Sequence, residues 1–558
     1  MKLTTAFLAL TTFLFTAGDC LAQHRVHPME GQVLDHIHTR FRWKPIPNLI
    51  GQYFLQVVED NGAPDPFANN TPVVNMQIPG TDPRIVVDHG LEFGKDYAWR
   101  VLGLVPPFPG LRTATPTQRF STIALPDFTP DITVTVPQGA APAQPGLTLF
   151  NLRIGGNPPP GGLGFIIAVD AEGDIVWFYE YESRRTSDLR QLEDGRYLWI
   201  MQSLVGVAGN EGTAPGRAVE MTLNGQITWI SPPDEIDSWV HHEASRLPNG
   251  NQLLLIYEPR DLPGMTPSDW LGDRIIEMDR HTKEIVGNWS TFDHYSLGDF
   301  QAQFGPGGDW VHGNAAVYNE ADGSVYYSAR SLSRITRIDW ATKDVVYSFG
   351  EDYQSGDAPF ADNEFSFQHA PQILPNGNLL LFNNGNTIEP LTDPRQSSAV
   401  EFAFNDPQNP TNATVVWRHD MVDDMGAPLY APFLGDADRL PNGNTLMVAG
   451  PLVTVLEVDA ASQPVWRMVV GDPFPLGAIY RAERIDELVK DTPGDVDDDW
   501  DIDMHDMAEF QNRYNGPATD FPTKLIDTND DAVLDEADFD HFFFWLTGPA
   551  NFLGQFPS

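Results

Sequence analysis

A histidine placed five residues before a Leu-Pro-Asn-Gly-Asn turn recurs along this chain of 558 residues. His242 precedes Leu247 in this way and His369 precedes Leu374, while His312 holds the same place ahead of a slightly longer turn. Asn-Gly between two apolar runs predicts a type I′ β-hairpin, because both central residues of that turn need positive φ. Five extended residues span about 16 Å. The pattern therefore predicts three hairpins with a histidine at the same height.

A second marker shows how many such units the chain contains. An acidic or turn cluster followed by an apolar step into an aromatic residue occurs six times, ending at Trp177, Trp229, Trp289, Tyr347, Trp417 and Trp466. Spacings of about 50 to 70 residues fit one four-stranded sheet per repeat. We therefore predict a mainly β protein with a six-bladed β-propeller over residues 126–488. The recurring aromatic side chain is expected to pack between blades.

The N-terminus has the features of an export signal. Residues 1–22 contain Lys2, an apolar run at 6–17 and small residues before position 23, which predicts a cleaved secretory signal. A lipoprotein anchor at Cys20 is the alternative, although Asp19 fits a lipidation sequence poorly. Since this is the only cysteine, cleavage leaves no disulfide. We expect a secreted, periplasmic or cell-surface protein.

Charge and hydropathy restrict the partners. The net charge of −43 argues against nucleic acid. No later apolar run approaches the ~20 residues of a membrane-spanning helix. Residues 23–125 show short alternating strands in the order of a fibronectin type III sandwich, which we expect to be a structural domain.

Hairpin folding adds an arginine to the histidines. Folding the hairpin about Ala321 pairs Tyr318 with Ser324 and His312 with Arg330. The arginine thus returns to the level of the histidine. The same folding of the other two hairpins adds candidates opposite His369 and His242, namely Asn384 and Tyr257.

Alternation of side chains along a strand predicts which neighbours of these histidines share their face of the sheet. Asn314 lies two residues beyond His312 and should share its face. His241, next to His242, should face the opposite way. Three imidazoles could hold Zn²⁺ with an open position. If the repeats are arranged radially, the three imidazoles meet at one rim of the propeller. A guanidinium at that rim repels a cation and suits a tetrahedral oxyanion, so an anionic sulfuryl or phosphoryl ligand is the stronger hypothesis.

The motifs together resemble those of the bacterial arylsulfate sulfotransferases. HHE with LPNGN, HGN followed by SAR, QH with LPNGN and FNNG, and a final RLPNGNTL occur in that order between about Gln138 and Arg484. The resemblance implies a six-bladed propeller preceded by a β-sandwich. It also implies a ping-pong transfer of a sulfuryl group from a phenolic sulfate ester to a phenol, without a nucleotide donor or another cofactor.

The resemblance also implies residue roles. His369 would be the nucleophile that becomes transiently sulfated, while His242, His312, Asn314 and Arg330 would bind the sulfuryl oxygens and assist the leaving phenolate. We expect His242 to be the general acid. The aromatic residues that clamp phenol rings in this family cannot be placed, so transfer to phenol and hydrolysis by water both stay open. The alternative function is a non-catalytic surface scaffold whose rim binds a sulfated ligand or glycan.

Residues 489–550 form an acidic segment with two calcium-loop patterns. Carboxylates, one amide and two backbone carbonyls recur at calcium-ligand spacing at Asp495, Asp497, Asp499, Asp501, Asp503 and Asp506, and again at Asp527, Asn529, Asp531, Val533, Asp535 and Asp538. The duplicated loop and helix resemble a type I dockerin, which implies calcium binding and a cohesin-like or surface partner. Trp500 and Ala532 replace the glycine usual at position 6.

Overall fold

The computed structural model describes most of the chain between residues 26 and 490. The gaps are 47–48, 50, 79–82, 105–111, 128, 155–163, 182–184, 203–215, 233–239, 266–267, 300–307, 352–363, 387–394 and 472–476. Beyond 490 it describes residues 494, 504–516, 526–527, 533–535 and 538. The predicted signal peptide lies outside the described residues.

The first part of the chain forms two sheets around one core. Its strands are β1 (Gln32–Leu34), β2 (Thr39–Arg42), β3 (Tyr53–Glu59), β4 (Val74–Ile78), β5 (Arg84–Val87), β6 (Asp96–Leu104), β7 (Arg112–Ala114) and β8 (Gln118–Thr122). One sheet has the order β1-β8-β6-β3-β4, with β7 on β6, and β2 pairs with β5 in the other. Phe41 and Trp99 meet edge to face in the shared core, with ring centroids 5.2 Å apart. Alternating apolar residues in the strands bury this core.

Six four-stranded antiparallel groupings follow, which we number sheets 1 to 6. Sheet 1 contains β10 (Leu147–Ile154), β11 (Gly164–Val169), β12 (Ile175–Tyr181) and β34 (Gly477–Ile485). Sheet 2 contains β13 (Arg185–Gln191), β14 (Tyr197–Gln202), β15 (Gly216–Met221) and β16 (Ile227–Ile230). Sheet 3 contains β17 (Val240–Arg246), β18 (Gln252–Asp261), β19 (Asp269–Met278) and β20 (Ile285–Ser290), with β21 (Gly308–Asp309) beside β19.

The remaining sheets repeat this order. Sheet 4 contains β22 (Gly313–Asn319), β23 (Ser324–Ala329), β24 (Arg334–Asp339) and β25 (Val345–Gly350). Sheet 5 contains β26 (His369–Ile373), β27 (Leu379–Asn383), β28 (Ser398–Phe404) and β29 (Ala413–Asp420). Sheet 6 contains β30 (Asp436–Arg439), β31 (Thr445–Ala449), β32 (Thr454–Val458) and β33 (Pro464–Val470), with β9 (Ile132–Thr135) on β33.

The described helices are short. Thr291–His294 and Met504–Arg513 are α-helical, and Arg330–Leu332 and Gly450–Leu452 are 3₁₀ turns. Within the described part of the chain, no helix has the length and apolar character needed to cross a membrane.

The Leu-Pro-Asn-Gly-Asn segments form the predicted hairpins with a different turn. In the first, the N–H of Gly250 donates to the carbonyl of Leu247 at 2.7 Å, and the N–H of Leu247 donates to the carbonyl of Asn251 at 2.8 Å. Gly250 has a φ of 76°, whereas Asn249 is not in the left-handed region. The type I′ prediction is therefore wrong. The segment is a type I turn closed by a left-handed glycine, which suits the proline at its second position.

The recurring aromatic residues pack between adjacent sheets, as predicted. The indole of Trp229 in sheet 2 donates at 2.9 Å to the carbonyl of Arg280, in the turn between β19 and β20 of sheet 3. The indole of Trp466 in sheet 6 donates at 2.9 Å to the carbonyl of Ala171, in the turn between β11 and β12 of sheet 1. The last sheet is thus bonded to the first.

The innermost strands also contact one another in sequence. β13 packs against β34 and β17, β17 against β22, β22 against β26, β26 against β30, and β30 against β34. The fold is mainly β and consistent with a β-propeller, and each sheet presents its innermost strand to a common interior.

Candidate functional site

Each innermost strand of sheets 2 to 5 contains an irregularity at the repeated position. The pairing register shifts between Ser187 and Leu189, Val240 and Ala244, Gly313 and Ala315, and His369 and Gln372. A left-handed residue stands at or beside each shift, namely Asp188, His242, His312 and Ala370. This conformation costs about 1–2 kcal/mol for a residue other than glycine, and such strain concentrates at functional sites. The repeated position of the histidines is thus a β-bulge, which changes the direction of the side chains.

The predicted histidines and the arginine come together at these bulges. The rings of His242 and His312 have centroids 5.0 Å apart and an interplanar angle of 73°. His312 and His369 both help to lower the pKa of His242, after the larger effect of burial. Arg330 likewise helps to lower the pKa of His369, again after burial. Side chains from sheets 3, 4 and 5 therefore share one site.

His369 is held in one tautomer by a neutral amide. Its Nδ1 lies 2.7 Å from Oδ1 of Asn384 and 3.2 Å from the carbonyl of Phe367. The Nδ2 of Asn384 donates to the carbonyls of Ala431 and Leu434 at 2.7 and 2.8 Å, so its oxygen must face the imidazole. Both contacts of Nδ1 are acceptors, which places the ring proton on Nδ1. Nε2 then carries the free lone pair.

The same histidine resists protonation. Only 4% of His369 is exposed. Burial lowers its pKa well below the usual value, and Arg330 lowers it further, while the hydrogen bond to Asn384 opposes the shift. His369 is therefore neutral at neutral pH, as a nitrogen nucleophile must be.

His312 has an anionic partner instead. Its Nδ1 is hydrogen-bonded to the carboxylate of Asp309, and its backbone N–H donates to the same residue at 3.2 Å. Asp309 is positioned by β21, which pairs in parallel with β19. A carboxylate on Nδ1 fixes the tautomer of an imidazole and stabilises the imidazolium form. His312 is thus suited to proton transfer.

Arg330 reaches the site as the hairpin folding predicted. Gly313 pairs with Ala329, and the N–H of Arg330 donates to the carbonyl of His312 at 3.3 Å. Its guanidinium lies 4.7 Å over the ring of Phe367 and donates to the carbonyl of Pro432 at 3.2 Å.

The guanidinium of Arg330 keeps a donor for a ligand. Burial lowers its pKa to about 10, against the opposing effect of Asp309. Its Nε is buried without a hydrogen-bond partner among the described residues. A tetrahedral oxyanion would satisfy that donor.

Asn314 connects two sheets. Its side chain is fully buried, and its Nδ2 donates to the carbonyl of Gln368 at 2.7 Å. This bond joins β22 to the residue before His369. Contact between Asn314 and a sulfuryl group stays a prediction.

His241 does not face away from the site, so that prediction is wrong. The left-handed φ of 59° at His242 breaks strand alternation and brings the Nδ1 atoms of His241 and His242 to 2.7 Å. Tyr257, predicted to lie opposite His242, stacks instead on His241, with ring centroids 3.7 Å apart.

A buried ionic network below the His242 bulge was not predicted. Arg481 donates to Asp188 at 2.9 Å and to Glu243 at 2.6 Å, and Arg190 bonds both carboxylates. Oδ2 of Asp188 also accepts from the N–H of Ala244 at 2.8 Å. These bonds fix the strand of His242 to sheets 1 and 2. The Glu that follows the two histidines in sequence was the available signal for this network.

Metal ligation was the alternative hypothesis for the histidine site and the main prediction for the acidic C-terminal segment. In the described ranges, no group of three or more His, Cys, Asp and Glu could hold a metal ion. Of the calcium-loop residues, Asp495, Asp497, Asp499, Asp501, Asp503, Asn529 and Asp531 lie outside the described residues. Asp506 and Asp538 are buried, and the N–H of Asp535 donates to Asp538 at 2.9 Å. The carboxylate oxygens of these residues are of the type that calcium prefers as ligands.

The fold is mainly β, and three imidazoles and one guanidinium from the inner part of sheets 3, 4 and 5 lie close together. The family model described as Arylsulfotransferase (ASST) matches residues 140–507, which include the whole site. The chain therefore belongs to the arylsulfotransferase family.

No curated protein matches the chain. Solved structures resemble it only distantly. A Bacteroides caccae protein of unknown function is 16% identical, with a TM-score of 0.38, over 61% of this chain and 100% of that one. A putative 6-phosphogluconolactonase from Bacteroides fragilis is 9% identical, with a TM-score of 0.32, over 78% and 100%. The Pseudomonas aeruginosa periplasmic gluconolactonase PpgL is 11% identical, with a TM-score of 0.33, over 60% and 96%.

Proposed function

We propose that this protein transfers a sulfuryl group from a phenolic sulfate ester to a phenol, through a sulfated His369 and without a nucleotide donor. Membership of the arylsulfotransferase family supports the reaction class. The observation that carries the mechanism is the hydrogen bond from Nδ1 of His369 to Asn384, which leaves the lone pair of Nε2 for the substrate.

In the first half-reaction, Nε2 of His369 attacks sulfur. The N–S bond forms while the S–O bond to the phenol breaks, and its electron pair goes to the phenolate oxygen. The protein contributes positioning and prearranged donors for the sulfuryl oxygens. Arg330 supplies a cation at the same rim, with a buried Nε that has no partner in the described part of the chain.

His312 is a better proton donor for the leaving phenolate than the expected His242. Burial, with smaller effects of His241, His312 and His369, lowers the pKa of His242 well below its usual value. His312 has the Asp309 carboxylate on Nδ1, an arrangement that supports proton transfer at Nε2.

The second half-reaction reverses these steps. The oxygen of the acceptor phenol attacks sulfur, the N–S bond breaks, and its electron pair returns to Nε2 of His369. His312 takes the phenol proton and is ready for the next donor ester. Since one residue serves as acid and then as base, the cycle needs no other proton source.

We extend the proposal to the architecture. Six sheets whose inner strands contact in a ring, and the bond from Trp466 to Ala171, support a six-bladed propeller over 126–488. The two sheets around Phe41 and Trp99 support the fibronectin type III-like sandwich, although β1 and β8 pair in parallel. Secretion after removal of residues 1–22, and a dockerin-like calcium module at 489–550 with a cohesin-like partner, are proposed from the sequence alone.

Turnover of p-nitrophenyl sulfate with phenol tests the function. The purified protein should release nitrophenol and form phenyl sulfate, and His369→Ala should abolish both. His419→Ala is the matched control, since His419 is also buried in sheet 5 but bonds to Ser462. Release that continues without phenol would identify water as an acceptor. Absence of turnover with bound ester would favour the non-catalytic scaffold that binds a sulfated ligand.

A further inference from the structure

His241 and His242 form a contact that the transfer mechanism does not use. Their Nδ1 atoms lie 2.7 Å apart, and their rings are nearly perpendicular at 88°. Two imidazole nitrogens at this distance attract each other only when one proton lies between them. The strained backbone of His242 maintains the contact.

The far side of His241 faces a buried carboxylate. Nε2 of His241 lies 3.1 Å from Oδ1 of Asp273. The other oxygen of Asp273 accepts from the hydroxyl of Tyr327 at 2.5 Å and from the N–H of Gly313 at 2.6 Å. Burial by itself would raise the pKa of Asp273, but the contacts with His241, Tyr327 and Gly313 outweigh it and lower that pKa. Asp273 is therefore ionised. Its contact with Nε2 of His241 lacks the geometry of a hydrogen bond, but a negative charge 3.1 Å away favours the tautomer of His241 that has its proton on Nε2.

Counting protons gives two states for this trio. When His241 is neutral, its Nδ1 is an acceptor, so His242 donates from Nδ1 and its Nε2 is bare. When one more proton enters at Nε2 of His242, the shared proton moves from Nδ1 of His242 to Nδ1 of His241. His242 is then a neutral imidazole with an N–H on Nε2, and the positive charge lies beside Asp273.

We propose that Asp273, His241 and His242 form a proton relay that makes Nε2 of His242 a hydrogen-bond donor when a sulfate ester binds. This rests on the proposed function, because the ester oxygens require donors and repel a bare nitrogen. Binding takes one proton from solvent. One N–H bond forms at Nε2 of His242, and the N–H bond at Nδ1 of His242 breaks as another forms at Nδ1 of His241. Asp273 and His241 are positioning residues that act through His242.

The surroundings explain why the charge must move away. The ionisable groups facing the trio from neighbouring strands are Tyr257, Asp309, His312, His369, Arg153 and Tyr480. Arg153, His312 and His369 each disfavour a charged His242, though less than burial does. Transfer of the charge to His241 moves it away from these groups and places it 3.1 Å from the carboxylate of Asp273.

Calorimetry on the His369→Ala background measures the relay without turnover. Titration of p-nitrophenyl sulfate in two buffers of different ionisation enthalpy gives the protons taken up per ester bound. We expect close to one proton at about pH 8, where an ordinary histidine is neutral. Ester binding without proton uptake would overturn the relay and leave the transfer function intact. Failure to bind the ester would contradict both.

Adding Asp273→Asn to that background should abolish the uptake while ester affinity is retained. Tyr327 and Gly313 would hold the amide oxygen in place, so the amide nitrogen would face His241. His241 would then donate from Nδ1, and His242 would carry its proton on Nε2 before the ester arrives. An inverted tautomer of this kind is the known effect of replacing the Asp of a Ser-His-Asp triad by Asn. Unchanged uptake would overturn the relay.

A second variant separates this role from a general loss of structure. His241→Asn offers an amide oxygen to Nδ1 of His242, as Asn384 does to His369. It should also abolish proton uptake, but here affinity should fall roughly tenfold or more, because Nε2 stays bare. Wild-type affinity and uptake in this variant would contradict the relay. Tyr327→Phe is the control, since it keeps the carboxylate and should keep the uptake.

Discussion

The Oδ1 atom of Asn384 lies 2.7 Å from Nδ1 of His369 and decides which nitrogen of that imidazole faces the substrate. The amide cannot turn over, because its Nδ2 donates to Ala431 and Leu434. His312 has a carboxylate at the equivalent nitrogen, and His242 has a second imidazole. Three histidines at one repeated position therefore differ in the partner of Nδ1, which prepares them for different proton chemistry.

Asn384→Ala should lower kcat/KM for p-nitrophenyl sulfate by roughly 100-fold or more, because the proton of His369 is no longer fixed on Nδ1. Two buried carbonyls also lose their donor, so the free energy of unfolding should fall by about 1–3 kcal/mol. Steady-state kinetics and urea unfolding measure the two effects. Asn386→Ala is the control, since Asn386 bonds Pro432 of the same loop. An equal loss of activity in both variants would show that Asn384 acts only by holding the loop.

Asp309→Asn should slow transfer more for a donor whose phenolate is a strong base, because such a leaving group needs a proton from His312. General acid catalysis contributes about 10²–10⁴-fold, and nitrophenolate leaves without much of it. We expect kcat with phenyl sulfate as donor to fall at least ~10-fold more than kcat with p-nitrophenyl sulfate. The two donors serve as mutual controls. An equal decrease for both would remove His312 from the acid role.

Arg330→Met should stabilise the protein and inactivate it. Burial lowers the pKa of Arg330 to about 10, so its charge is less favourable in the folded chain than in the unfolded one at neutral pH. Removing the charge should raise the free energy of unfolding by about 1–3 kcal/mol. Inorganic sulfate should raise Tm in the wild type and not in the variant. A destabilised variant that still responds to sulfate would refute this account of Arg330.

Two carboxyl groups in the interior should make stability depend on pH. Burial raises the pKa of Asp438 to about 6 and that of Glu483 to about 7. The unfolded groups titrate near pH 4, so folding favours their protonated forms. The contribution of these two groups to the free energy of unfolding is fully present below about pH 4 and is lost as the pH rises through about 6 and 7. Urea unfolding should show this decline, and the double variant Asp438→Asn, Glu483→Gln should flatten it. Asp420→Asn, at an exposed carboxylate, should leave the slope unchanged.

Much of the fold could be predicted from the sequence because the repeats are punctuated by local chemistry. Turn residues and aromatic markers placed the sheets, and Trp229 and Trp466 pack as expected. The turn type was missed because proline before Asn-Gly favours a type I turn with glycine at its end. The Asn-Gly pair alone does not distinguish the two turn types, and the preceding proline has to be considered as well.

The pairing of His312 with Arg330 was right through two compensating errors. Tyr318 pairs with Val325 and not with Ser324, and a bulge between Gly313 and Ala315 restores the predicted alignment. The orientation of His241 was missed for the same kind of reason, since a bulge cancels strand alternation. Asp309 could have been noticed, because it stands three residues before His312 in the same motif. Asp273 could not, because its contact with His241 depends on how β17 and β19 lie in space.

The most direct test of the central claim is the mass of the protein after brief exposure to p-nitrophenyl sulfate without a phenol acceptor, under conditions that avoid acid. We predict an added sulfuryl group located by peptide fragmentation on His369, and its loss when phenol is added. An unmodified protein that still transfers the group, or a sulfuryl group on another residue, would contradict it.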